Sequence, residues 1–178
     1  MTRPMWVDEP VRVTAPDPDL LLEADRLRRE VDLLLKTRLA RPVEHVGSTA
    51  VPGLPSKPTV DLLGAVHDLD TADAAASALI AAGWELIPPE VDYRPWRRFW
   101  VLPDGDHRRA HLYLIAADHP RVDDLVRFRD HLRSDRRTAA AYGALKHRLA
   151  RQHVLDRDAY TRAKMSFIDE VLDGLGDR

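Results

Sequence analysis

The sequence predicts an α+β fold, a mixed β-sheet flanked by helices and closed by a C-terminal helical cap, and three observations predict it. Short β-branched runs bounded by Gly and Pro lie in the first two-thirds of the chain, at residues 43–46 and 59–66. Pro103-Asp104-Gly105-Asp106 between residues 97–102 and 108–115 is a hairpin signal. From His119 onward the apolar period is helical, so strands come first and helices last, unlike an alternating doubly wound domain. The 178 residues suit one domain, with a sheet core over about 11–118 and a helical part over about 119–175.

Taken in order, Leu20, Ala24, Leu27, Val31, Leu34 and Leu35 recur at helical spacing behind Asp17-Pro18-Asp19, predicting a helix over 19–39 that Pro42 stops. The strands at 43–46 and 59–66 are joined by a Gly-Ser turn. An alanine-rich helix over 71–82 should end at Gly83, with a strand at 84–87 behind it. The Pro-rich patch around Pro88-Pro89 and Pro95 reads as a loop, and the hairpin follows. Helices over 121–133, 136–153 and 158–175 complete the chain.

Composition narrows the chemistry. With 44% hydrophobic and 31% charged residues the chain is an ordinary globular one. Its net charge of −2 provides no global field for polymeric nucleic acid, so anion binding must come from a local cluster of Arg and Lys. The absence of Cys removes disulfides, thiolate metal sites and cysteine nucleophiles. Residues 1–9 carry no apolar run behind their Arg and no stretch approaches a membrane span, so a cytoplasmic protein is expected. No Gly-x-Ser-x-Gly elbow, His-Glu-x-x-His helix or calcium loop is present. Gly47, Gly53 and Lys57 lack the spacing of a Walker loop.

The most informative stretch runs Gly47-Ser48-Thr49-Ala50-Val51-Pro52-Gly53-Leu54-Pro55-Ser56-Lys57-Pro58 and leads directly into Thr59-Val60-Asp61-Leu62-Leu63. A turn with free backbone amides can present a phosphate to a carboxylate on the next strand, the local chemistry of metal-assisted nucleotide transfer. Gly47, Ser48 and Lys57 are the phosphate-binding candidates. Two-metal transfer needs carboxylates two positions apart on one strand face. Asp61 has one position; Leu63 has the other. Asp61 either holds a single Mg²⁺ with phosphates and water, or pairs with a neighbouring cation. His45, on the incoming strand beside Glu44, is either a hydrogen-bonded structural residue or a ligand.

Each C-terminal helix carries a cation inside its apolar arc: Arg129 among Val122, Leu125, Val126, Phe128 and Leu132; Lys146 among Tyr142, Leu145, Leu149 and Ala150; Lys164 among Tyr160, Ala163, Phe167, Ile168 and Val171. Either these side chains snorkel to solvent and pair with carboxylates such as Asp130, or the helices lean over a cleft that receives a polyanion. In the hairpin, alternation places Arg109, His111 and Tyr113 on one face and Ala110, Leu112 and Leu114 on the other. His111 beside Arg109 is then a phosphate-contacting or catalytic candidate. Arg94, Trp96, Arg97, Arg98 and Trp100 form a basic aromatic patch that either stacks a base or covers the sheet.

These residues resemble the GrpB family of small bacterial proteins. The likeness runs through residues 44–54 and 57–61, Arg108 with His111-Leu112, residues 128–133, Tyr142 with Lys146, and Tyr160 with Lys164 and Phe167-Ile168. It implies a nucleotidyltransferase-like fold whose C-terminal cations face a nucleotide. Taken with the turn and its carboxylate, the expected function is Mg²⁺-dependent transfer of a nucleotidyl or phosphoryl group from a nucleoside triphosphate to a small acceptor, with Asp61 and His111 catalytic. The alternative is a non-catalytic nucleotide- or phosphometabolite-binding module, like the similar domain fused to some dephospho-coenzyme A kinases. Two departures stand out: Leu63 replaces the second carboxylate, and Tyr113 stands where relatives often carry a second histidine.

Overall fold

The structure, a computed structural model, describes residue 6 and residues 9–176, so most of the N-terminal stretch read for a leader lies outside the described residues. Five strands, β1 (Glu44–Val46), β2 (Val60–Val66), β3 (Glu85–Ile87), β4 (Arg97–Asp104) and β5 (His107–Ala116), form one sheet in the order β1-β2-β5-β4-β3. Only β2 and β5 pair parallel; the other neighbours are antiparallel, so the sheet is mixed. No described helix is long and apolar enough to cross a membrane.

Alternation along the strands sorts the helices into two layers. Val60, Leu62, Ala110, Leu112, Leu114 and Trp100 point to one face, where α1 (Asp19–Leu35), α2 (Leu69–Asp73) and α3 (Ala76–Ala81) bury Leu27, Val31, Leu35, Ala72 and Leu79 against them. Asp61, Leu63, His111, Tyr113 and Ile115 belong to the opposite face. There α5 (Pro120–Ser134), α6 (Arg136–Gln152) and α7 (Arg157–Gly174) form the cap.

Three boundaries differ from the sequence reading. α1 stops at Leu35, four residues early, because Leu39 makes a bridge to Val66 at the sheet edge and packs on the core from there. The alanine-rich helix splits into α2 and α3, with Asp68 capping the first by accepting from the Thr71 amide at 2.6 Å. The Pro88-Pro89 patch holds a one-turn helix, α4 (Pro89–Asp92), rather than an open loop. It buries Asp92, whose carboxylate grips Arg97 at 2.5 and 2.7 Å.

Candidate functional site

A cavity of about 520 Å³ lies between β2, β4 and β5 below and the helical cap above, closed on one side by the loop from Gly47 to Thr59. That volume suits a nucleotide-sized ligand. Gly47, Ser48, Lys57, Asp61, His111, Lys146 and Lys164 all line it. So do Arg108, Tyr142, Arg157 and Tyr160. Among the described residues, eight Lys and Arg side chains face four carboxylates here, although the chain as a whole is slightly acidic.

The turn after β1 brings its backbone directly against Asp61. Gly47 has φ +71°, and a Cβ on it would stand 2.5 Å from Asp61 Oδ2. Gly47→Ala therefore meets both a steric and a conformational penalty, and about 2–4 kcal/mol of unfolding free energy should be lost in urea titrations. Behind Gly47, Ser48–Ala50 form a single 3₁₀ turn, whose first amides have no acceptor within the turn.

Asp61 is the centre of a small polar network. His111 Nδ1 lies 2.9 Å from Asp61 Oδ1, and the Tyr113 hydroxyl donates to the same oxygen at 3.0 Å. Burial raises the Asp61 pKa, but the His111 hydrogen bond and charge, Lys57 and the Tyr113 hydrogen bond outweigh it and hold it at about 2. Burial drives His111 the other way, to about 4 despite Asp61. At neutral pH the pair is thus a carboxylate and a neutral imidazole, so the ring proton sits on Nδ1. The other nitrogen, Nε2, is buried with no partner among the described residues.

Lys57 and Lys164 stand over the same ring, with ammonium nitrogens 5.9 and 4.5 Å from the Tyr160 centroid. Lys146 lies 4.9 Å over Tyr142 and donates to the Pro55 carbonyl, tying α6 to the turn. None of the three lysines has a carboxylate within ion-pair distance among the described residues. Burial and then Lys164 push Lys146 down to about 7. Burial, partly offset by Asp61, pushes Lys164 down to about 8. Lys57 falls well below the usual lysine value, through burial first and Arg157 and Lys164 next. Arg157 gives Nη2 to Glu9 Oε2 at 2.8 Å, while its Nε and Nη1 are buried and unpartnered among the described residues.

Two predicted phosphate ligands lie elsewhere. Arg129 is buried, but its Nη1 meets Glu44 Oε2 at 2.6 Å and its Nε meets Asp130 at 2.8 Å; it clasps β1 to α5 and does not line the cavity. Arg109 pairs instead with Glu23 of α1 at 2.6 Å. The cause is a bulge: Leu102 pairs with Ala110 but Pro103 pairs with Arg108, leaving Arg109 as the extra residue. Arg108 takes the cavity-facing position and sits 4.8 Å from the Trp6 ring. Of the aromatic patch, Arg94, Trp96 and Arg97 line the cavity, while Trp100 is core on the far face and Arg98 pairs with Asp73. Sequence reading missed Arg157, which lies just behind the Asp156 cap of α7 and disturbs no apolar arc.

The residues do not fit a protein-anchored metal centre. Leu63, beside Tyr113 in the ladder, is 1% exposed and sealed with Val46, Ile115 and Val122 under α5. One Asp61 oxygen already accepts two hydrogen bonds. Among the described residues no three His, Asp or Glu side chains gather as a metal site.

Comparison with known proteins bears on the family and the fold. A UPF0157 protein of Streptomyces coelicolor is 38% identical over 71% of this chain and 64% of its own length. Another UPF0157 protein, from Pseudomonas aeruginosa, is 36% identical over 78% of the chain and 58% of its own length. The chain thus spans about three-fifths of these relatives. A dephospho-CoA kinase of Mycolicibacterium paratuberculosis is 33% identical over 87% of the chain but 43% of itself. Among solved structures, conserved protein GrpB from Enterococcus faecalis superposes with a TM-score of 0.80 at 27% identity, covering 92% of this chain and 96% of that one. Cid1 bound to the UTP analogue UMPNPP gives 0.56 at 14% identity over 86% of this chain and 49% of that one, so the fold is nucleotidyltransferase-like. The sequence pattern of the GrpB protein family matches residues 10–174, and the chain belongs to that family.

Proposed function

We propose that the cavity binds a phosphorylated small molecule of nucleotide size. The observation that carries this reading is the convergence of Lys57, Lys146 and Lys164 around Asp61 without carboxylate partners of their own among the described residues. Lysines crowded together out of water hold their protons weakly, because one carboxylate does not balance three ammonium groups. A phosphate chain supplies the missing negative charge, and the spare Arg157 donors offer it hydrogen bonds. Solved relatives of the fold hold nucleotides, as Cid1 does with UMPNPP, which supports a nucleotide as the ligand class. Cid1 and its kin include an RNA terminal U-transferase, whereas this chain lacks the net positive charge that would gather a polymer.

A second reading is transfer of a nucleotidyl or phosphoryl group to a small acceptor. The ionised Asp61 and neutral His111, hydrogen-bonded to each other, favour it, since such a pair leaves one imidazole nitrogen free as a base. The sealed Leu63 position favours binding without transfer, as in a module that accompanies a kinase. Among the described residues no three side chains provide a seat for Mg²⁺.

Thermal denaturation with ATP, ADP, dephospho-CoA and adenosine tests the binding. A phosphorylated ligand at a hundred times its dissociation constant adds about 2.7 kcal/mol, a rise of about 5–10 °C for a chain of this size. Adenosine should leave the midpoint unchanged. Equal shifts with adenosine and ADP, or none with any compound, would count against the phosphate site.

A further inference from the structure

We infer that the lysine cluster does the work that bound divalent cations do in two-metal sites, so that this cavity takes a polyphosphate in its metal-free form. The inference rests on the phosphate-binding reading above and adds the ionic form of the ligand. Two observations meet in it. The strand position that would anchor a second metal is an aliphatic side chain buried under α5, and no group of three metal-binding side chains stands near Asp61 among the described residues. At the same time Lys57 and Lys164 share the face of Tyr160, and Lys146 is fixed to the Pro55 carbonyl across the turn.

These basic groups are attached to the protein, where a metal would arrive with the ligand, and the approach of phosphate favours their charged form. Each lysine is held by an aromatic face or a carbonyl and so stays near the phosphate path in the empty protein. Mg²⁺ on a triphosphate removes two of its negative charges and keeps water on its oxygens. Both effects weaken its attraction to fixed ammonium groups. Mg²⁺ therefore competes with the lysines for the same oxygens instead of bridging them to Asp61.

Calorimetric titration of the whole chain with inorganic tripolyphosphate and with ATP, each in EDTA and in excess Mg²⁺, tests this. Binding in EDTA should be tighter than in Mg²⁺ by about tenfold. Lys164→Gln should weaken binding in EDTA by about tenfold or more, and Lys164→Arg should retain most of it. Lys57→Gln gives the same reading should Lys164→Gln fail to fold, and the wild-type metal comparison needs no variant. Binding that appears only with Mg²⁺, or unchanged affinity in the folded Gln variants, overturns the inference while leaving a phosphate site in place. No binding of either ligand in either buffer overturns the phosphate site as well.

Discussion

Leu63→Asp, the substitution that would restore a carboxylate two residues beyond Asp61, is expected to unfold the protein and not to create a metal site. Leu63 is packed against Val46, Ile115 and Val122, with Trp96 and Leu125 beside them. Truncation to Ala alone should cost about 2–5 kcal/mol through lost burial and the cavity left behind. An Asp adds an unpaired buried carboxylate, and the sum reaches roughly the whole stability of a typical domain, about 5–15 kcal/mol. Circular dichroism during urea unfolding would show a cooperative but destabilised Leu63→Ala and a Leu63→Asp without a native baseline. A well-folded Leu63→Asp that takes up Mg²⁺ would mean that α5 does not seal this position.

The second large effect concerns pH. Lys146 and Lys164 titrate at about 7 and about 8, depressed mainly by burial, with Lys164 acting on Lys146 and Arg157 on Lys164. A bound polyphosphate favours both ammonium forms, so above these values binding must take up protons. Affinity should fall from pH 7 to pH 9, by up to about tenfold per pH unit for each lysine that is neutral in the free protein. The stability of the empty protein moves oppositely. Between the folded values and the unfolded lysine value the unfolded chain holds more protons, so stability rises with pH. Titration of ADP across this range, alongside denaturation of the free protein, would show the two opposing slopes. Affinity independent of pH would mean that these lysines do not meet the ligand.

Much of this was legible in the sequence because it is periodic. The strands around the Gly-Ser turn, the hairpin and the three long helices each follow from alternation or helical spacing, and each lies within a few residues of its expected place. Cations inside apolar arcs marked Lys146 and Lys164 for the cavity. The same signal misled at Arg129, because periodicity reports that a charge is enclosed and not which partner meets it; Glu44, far away in sequence, lies opposite. Arg109 failed for a different reason. Pro103 lacks the amide that would continue the ladder, and the bulge beside it exchanges Arg109 for Arg108 on the cavity face. Arg157 lies in a polar capping segment, where no pattern separates a cavity donor from a surface one. The metal expectation rested on Asp61 alone; the depth of Leu63 beneath α5 became visible only with tertiary packing.

A crystal structure of the protein grown with ADP in EDTA gives the most direct evidence on the phosphate site. The expected map shows the diphosphate between Lys57, Lys146 and Lys164, with Arg157 turned toward it and Asp61 still bonded to His111. Density for ADP on the outer surface, with the cavity holding only water, would contradict it.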